Sequence, residues 1–300
     1  MNPAQRSTSA LDGAALAALA FLTLVWGYNW VVMKVALQYT APFSFAAARS
    51  VGGAACLLLV LALSGRPFWP RYPGKVLLLG LLQTSCFIGL VCWSLVQGGA
   101  GKSAVLAYTM PFWVILCAPF VLGERLKGLQ WLAVLFAFAG LLLIFSPWKR
   151  APDFWSSCIA LGAGIAWGLS VLVAKKIPVR DHWELLAITG WQMLMGAVPL
   201  VFAALLIPGR PVEWTVPYVV ALLYNIIPGN ALAWALWLFV VGRLTATMSG
   251  LASLAIPVVG VLCGWGQLGE RPSLSVSVGM FVVLAALALL SLANLHRRSA

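Results

Sequence analysis

Residues 103–125 read SAVLAYTMPFWVILCAPFVLGER, and residues 249–271 read SGLASLAIPVVGVLCGWGQLGER. Laid over each other without a gap, at an offset of 146, they agree at Ser103/Ser249, Pro111/Pro257, Leu116-Cys117/Leu262-Cys263 and Leu122-Gly-Glu-Arg125/Leu268-Gly-Glu-Arg271. Apolar bias produces chance Leu and Ala matches, but not a registered proline followed by Gly-Glu-Arg. Further upstream, at an offset of 141, Trp26-Gly27 meets Trp167-Gly168 and Lys34 meets Lys175. The chain therefore reads as two similar halves, residues 1–150 and 151–300.

Each half is apolar throughout. Of 300 residues 62% are hydrophobic and 9% charged, where a soluble domain carries roughly a quarter charged. Too few polar groups are present to cover a soluble surface, whereas lipid tails solvate apolar side chains directly. Ten runs approach the roughly 20 apolar residues that a membrane span needs. They are Gly13–Met33, Phe43–Leu63, Lys75–Gln97, Ser103–Leu122, Leu129–Phe145, Trp155–Val173, Glu184–Ile207, Val216–Val241, Ala246–Leu268 and Leu274–Leu295. Gly/Pro-rich punctuation such as Pro208-Gly-Arg-Pro separates them, and no loop is long enough for a folded domain. The first run is too long for a signal-peptide core and lacks a small-residue cleavage site, so it is expected to remain as a span. The fold class is all-α integral membrane: ten transmembrane helices as two five-helix repeats. Five is odd, so the second half enters from the opposite side, giving the inverted repeats typical of secondary transporters.

The net charge of +12 does not point to nucleic acid, because the basic residues are spread over the ends of apolar runs. With the N-terminus inside, cytoplasmic segments hold Arg6, Arg66, Arg71, Lys75, Arg125, Lys127, Lys175, Lys176, Arg180, Arg243, Arg297 and Arg298. Outside segments hold only Lys34, Lys102, Lys149, Arg150, Arg210 and Arg271. The positive-inside bias places both termini in the cytoplasm.

The seven acidic residues and both histidines fall at span ends or in loops, which argues against an intramembrane carboxylate relay. No HExxH, Walker A, Ser/His/Asp set or paired carboxylate at depth is present, so an enzyme and an ATP-driven pump are disfavoured within this chain. The six cysteines, all in apolar runs and without CxxC spacing, read as small core residues with no disulfide and no metal site. No cofactor is expected. Lys34 and Lys175 read as snorkelling to headgroups, Arg49 as snorkelling or pairing with a helix-end carbonyl, and Glu124-Arg125 and Glu270-Arg271 as local ion pairs.

The chemistry then lies with uncharged polar and aromatic residues at depth. Trp26, Asn29, Trp30 and Met33 share one helical face, Asn230, Trp234 and Trp237 another, and Trp167 and Ser170 are three apart. Such stripes are commonly packing. Mixed with amides and hydroxyls they suit a neutral or zwitterionic ligand with an apolar body. The expected cavity residues are Trp26, Asn29, Gln83, Tyr108, Trp167, Ser170, Asn230, Trp234 and Ser253. Pro111 and Pro257, each removing a backbone hydrogen bond in mid-span, are the expected bend or gating points. Gly164-xxx-Gly168 and Gly260-xxx-Gly264 allow close helix contact.

Trp26-Gly-Tyr-Asn29 with Lys34, Arg49, Pro111 and Leu122-Gly-Glu-Arg125, mirrored by Trp167-Gly168, Pro257 and Leu268-Gly-Glu-Arg271, resemble the EamA family of the drug/metabolite transporter superfamily. The resemblance implies ten spans in two inverted repeats, cytoplasmic termini and a central cavity. That cavity would be lined by the third, fourth, eighth and ninth spans with help from the first and sixth. More narrowly, the Trp richness, Trp26–Lys34 and Tyr108-Thr-Met-Pro111 are similar to bacterial aromatic amino-acid exporters of the YddG type. That likeness implies export of small neutral or aromatic amino acids by alternating access, with cationic aromatic drugs as an alternative cargo. A facilitative channel, a lipid-modifying enzyme and an accessory subunit are the rival readings. The expected setting is a bacterial inner membrane, with lipid and a small molecule as partners, no nucleic acid, and a monomeric chain.

Overall fold

A computed structural model describes residues 13–123, 128–145, 153–233, 236, 239–240 and 255–299, the last helix's side chains through 290. These residues are helical, with no strand among them. Six helices are long and apolar enough to cross a membrane: α1 (Gly13–Ala36), α2 (Pro42–Leu63), α3 (Pro73–Gln97), α4 (Ala100–Val121), α6 (Phe154–Ala174) and α7 (His182–Leu206). Three more apolar helices are shorter, α5 (Leu129–Phe145), α8 (Val216–Leu232) and α9 (Ala255–Leu268), and a last helix, α10 (Leu274–Ser299), is apolar over Leu274–Leu290. The predicted start of the ninth run and most of the eighth run's end lie outside the described residues.

Local sequence sets the helix ends. Prolines open α2, α3 and α8, where the missing N–H is no loss and φ is already helical. Asp181 caps α7 by accepting from Glu184 N at 2.8 Å, and the Glu184 carboxylate accepts from Arg180 N at 2.7 Å. The repeat glycines Gly123 and Gly269 follow α4 and α9 with φ of 70° and 62°, the left-handed turn that stops a helix without a Cβ clash.

The chain is apolar outside as well as inside. Phe120 is 90% exposed, and Leu63, Leu205 and Phe281 are also mostly exposed, a surface that only lipid solvates without cost. Of the cysteines expected in the core, Cys92 is buried, Cys86 is exposed and the rest are half-buried; all six are unpaired.

The loops sort to two ends. At one, Lys34 in the last turn of α1 donates to Gly98 O between α3 and α4, and Glu270 between α9 and α10 accepts from Gly101 N. At the same end Lys102 pairs with Asp153 ahead of α6 at 2.8 Å, and Glu213 N, ahead of α8, donates to Tyr39 O. At the other end the α2–α3 and α6–α7 loops meet through Lys75 Nζ to Lys176 O, 2.8 Å, and Arg66 lies over the Trp183 ring. Loops after odd-numbered helices thus gather opposite the loops after α2 and α6.

Glycine lets the helices approach backbone to backbone. The most extensive packing is α5 on α10 and α2 on α7. A Cβ on Gly140 of α5 would meet Gly279 O at 2.9 Å and Val283 Cγ2 at 2.8 Å; one on Gly279 would meet Gly140 O at 2.7 Å and Ile144 Cγ1 at 2.8 Å. The contact is reciprocal. Gly27 of α1 faces Val259 Cβ and Ile256 O of α9, while Gly168 of α6 faces Trp113 Cβ and Met110 O of α4. Val259 and Trp113, like Ile256 and Met110, stand 146 residues apart, and Gly27 and Gly168 stand 141 apart.

Gly196 of α7 lies against Gly80 O of α3, and a Cβ there would sit 2.6 Å from Thr84 Cβ. Gly196→Ala is expected to destabilise the fold by about 1–3 kcal/mol through overpacking, read as a lower melting temperature in detergent. The N–H of Glu184 holds the Asp181 carboxyl below its ordinary value of 3.8, because the bond favours the charged form. A depressed folded value gives stability that is present at neutral pH and lost as pH falls through the acid range. Asp181→Ala should flatten that part of the melting-temperature-versus-pH curve and leave its neutral-to-alkaline shape unchanged.

Candidate substrate site

Three interruptions of regular helix lie deep in the bundle. In α3 residues Leu81–Ile88 are π-helical, and in α8 residues Ile227–Leu232 are π-helical. The two π segments begin 146 residues apart. In α8 the cause is local: Pro228 has no N–H to return to Tyr224 O, so the ladder shifts register. In α4 the helix stops at Ala107 and resumes at Met110. Pro111 is not in mid-helix, as expected, but in the first turn of this second piece, where its missing N–H is harmless. The break satisfies itself locally: Thr109 Oγ1 donates to Leu106 O at 2.6 Å, and the Trp113 indole donates to Thr109 Oγ1 at 3.0 Å. Gly164 and Gly168 of α6 lie over the break, with Leu106 O and Met110 O 2.9 and 3.1 Å from ideal Cβ positions. Gly260 and Gly264 of α9 pack on the first piece of α4, at Ala104 and Gly101.

These interruptions carry the predicted residues Gln83, Tyr108 and Asn230. Tyr108 meets Trp167 of α6 edge-on, ring centroids 5.2 Å apart, and Trp30 of α1 at 6.5 Å. Trp167 also lies 4.8 Å from Phe87 in the π segment of α3. Trp30, Tyr108, Trp167 and Phe87 thus form one aromatic run across four helices. Phe87 was not among the expected residues; its only sequence signal was position, four after Gln83. Gly168, next to Trp167, is what lets α6 come close enough to present that ring.

A second, polar face joins α1 to α8. The Trp26 indole donates to Gly229 O at 3.1 Å, inside the π segment, and Tyr224 Oη donates to Val25 O at 2.9 Å. Asn29 Oδ1 is 3.4 Å from where a Cβ on Gly229 would lie. It is buried and has no hydrogen-bond partner, as is Asn225 Oδ1 on α8. Asn230 lies against Gly53 of α2. The face expected to hold Trp26, Asn29 and Trp30 together is therefore divided: Trp26 and Asn29 turn to α8, and Trp30 turns to Tyr108.

The remaining expectations are placed as follows. Ser170 is fully buried and donates within its own helix to Trp167 O at 2.7 Å. Gln83 is half-buried in the α3 π segment. Pro257 is buried in the first turn described for α9. Trp234, Trp237 and Ser253 lie outside the described residues, as do Glu124 and Arg125. Sequence reasoning gave Thr84 and Gln192 no role in the site, yet they bond side chain to side chain, buried, at 2.9 Å between α3 and α7.

Two charged residues cap helix ends at one end of the bundle, and neither behaves as its sequence suggested. Lys34 does not snorkel: its ammonium donates to Leu95 O at 2.8 Å and Gly98 O at 2.6 Å, capping the last carbonyls of α3. Glu270 does not turn to Arg271; it accepts from Ala100 N and Gly101 N, capping the start of α4.

Comparison with known proteins agrees with this architecture. The chain matches the EamA-like transporter family over residues 13–146 and again over 154–292, and it belongs to that family. It is 27% identical over 269 residues to the uncharacterized transporter YoaV of Bacillus subtilis, covering 87% of this chain and 91% of that one. It is 25% identical to the uncharacterized inner membrane transporter YedA of Escherichia coli, covering 92% and 90%. A solved structure described as "Crystal structure of protein" shares the fold, with a TM-score of 0.64 and 17% identity over 93% of this chain and 98% of its own. The protein is a multi-pass membrane transporter.

Glu270→Ala removes the acceptor from two backbone N–H groups at the start of α4. The expected loss is about 0.5–2 kcal/mol, measured by thermal unfolding in detergent, and Glu270→Gln should recover part of it.

Proposed function

We propose that this protein is a secondary transporter that exports small neutral and aromatic amino acids and related metabolites across a bacterial inner membrane by alternating access. Its ten spans form two inverted five-helix halves, residues 1–150 and 151–300, with both termini cytoplasmic. The reciprocal Gly140–Gly279 contact supports this reading, since a self-complementary contact is what a two-fold relation produces. The paired Gly27 and Gly168 contacts, the matching π segments and the sorting of loops to two ends support it as well.

The observation that carries the reading is the convergence at the interrupted helices. Irregular backbone is tolerated at membrane depth only where it is covered by protein or lines a polar cavity. The interrupted helices carry a run of aromatic rings on one face and, on the α1–α8 face, buried amide oxygens that lack partners. Rings hold an apolar or aromatic body, and amide oxygens hold an ammonium. Membrane enzymology and nucleic-acid binding have no such requirement.

Reconstituted in proteoliposomes, the protein should show saturable uptake and counterflow of radiolabelled phenylalanine or tryptophan. Competition should come from other neutral amino acids and not from nucleosides. Tyr108→Ala and Trp167→Ala should each lower transport about 3- to 10-fold, from the loss of ring contacts, while inserting normally. Unchanged transport in both variants would remove the site assignment; conduction without saturation or counterflow would make the protein a channel.

A further inference from the structure

We propose that Arg49 receives the carboxylate of the transported molecule and that the amide oxygens of Asn29 and Asn225 receive its ammonium group. The proposal rests on the amino-acid reading above and sharpens it to the zwitterion. Arg49 lies two turns inside α2 and is 4% exposed. Its Nε has no hydrogen-bond partner, and among the described residues its side chain forms no ion pair. It does not snorkel, and among the described residues it pairs with no helix-end carbonyl.

Two lysines of the same molecule, Lys34 half-buried and Lys102 buried, show what a structural cation does here. Lys34 takes two carbonyls, and Lys102 takes Asp153. A guanidinium at membrane depth with no such partner is costly, and the cost falls when an anion arrives. The planar fork of Arg matches a carboxylate with two parallel bonds, which a lysine does not reproduce.

Asn225 lies on α8, which packs beside α2, and Asn29 lies on α1, which packs on α8. Asn225 is fully buried, and its own Nδ2 donates to Ala221 O at 3.0 Å, which commits the amide nitrogen and leaves Oδ1 without a partner. Ile226, the next residue, packs on Gly52 of α2, one turn from Arg49, and Asn230 packs on Gly53. Asn29 Oδ1, also without a partner, faces Gly229 on the same stretch of α8. One unpaired cation and two unpaired acceptors on α1, α2 and α8 complement a molecule carrying one carboxylate and one ammonium, with its side chain toward the rings of Trp30 and Tyr108.

The test uses the full chain in proteoliposomes, with counterflow of radiolabelled L-phenylalanine. Competitors are phenylalanine, L-phenylalaninamide, which lacks the carboxylate, and hydrocinnamate, which lacks the ammonium. The wild type should favour phenylalanine over the amide by about 10- to 100-fold, and Arg49→Gln should shrink that ratio to within about 3-fold. Arg49→Lys should retain an intermediate ratio, and Asn225→Leu should shrink the preference over hydrocinnamate instead. A wild-type ratio in Arg49→Gln overturns the assignment while leaving amino-acid transport intact. Stabilisation of the detergent-purified protein by hydrocinnamate reads the carboxylate site separately: it should raise the melting temperature of the wild type and not of Arg49→Gln or, to the same extent, of Arg49→Lys. If no amino acid is transported but that difference holds, the amino-acid reading and the ammonium site fall and the carboxylate site stands. Equal stabilisation of wild type and variants, or none, overturns the carboxylate site.

Discussion

Inside a bilayer no water is available to satisfy a backbone N–H or C=O, and every such group must find its partner within the protein. The structure is organised by that constraint. Regular helices meet it along most of their length, and each departure is answered. The break in α4 is answered by Thr109, whose hydroxyl donates to Leu106 O. The register shift around Pro228 exposes Gly229 O, which the Trp26 indole takes. The end of α3 and the start of α4 are answered by Lys34 and Glu270. Charged side chains here complete helix ends 61 to 170 residues away in the chain.

The same constraint explains why glycine carries so much of the packing. Lipid is as apolar as leucine, so helices gain little from hiding side chains from it and gain instead from close van der Waals contact. Gly140 with Gly279, Gly80 with Gly196, and Gly27 and Gly168 with their partners bring backbones together without intervening side chains. Bulk remains at the lipid surface, where Phe120 and Leu205 stand exposed, and at the aromatic run, where four rings meet around the interruption in α4. Tight packing on one side of α4 and open polar valence on α1, α2 and α8 are thus products of one rule. Satisfied groups build the scaffold, and Asn29, Arg49 and Asn225 each keep a buried polar atom without a partner.

Much of this was legible from residue order. Apolar run length marked every described helix, because hydropathy over about 20 residues is a local property. The Gly-Glu-Arg repeat located two helix ends, and both glycines adopt the left-handed turn, since only glycine enters it without strain. Tyr108 and Trp167, chosen for type and depth, do touch. What sequence could not supply was partnership across distance. Lys34 was read as reaching for headgroups and Glu270 for its neighbour, because both are short, reasonable reaches; each instead serves a helix end brought to it by packing. Pro111 read as a mid-span kink because nothing in the residue order shows that the helix has already stopped at Ala107. Arg49 stood in the family pattern and Asn225 in none, but for neither did residue order show that Arg49 Nε and Asn225 Oδ1 would be buried without a partner. Residue order determined that this chain crosses a membrane as repeated apolar helices. The tertiary structure decided which polar groups are spent holding those helices together and which keep no partner, because satisfaction of a buried group depends on what lies within about 3 Å of it in space.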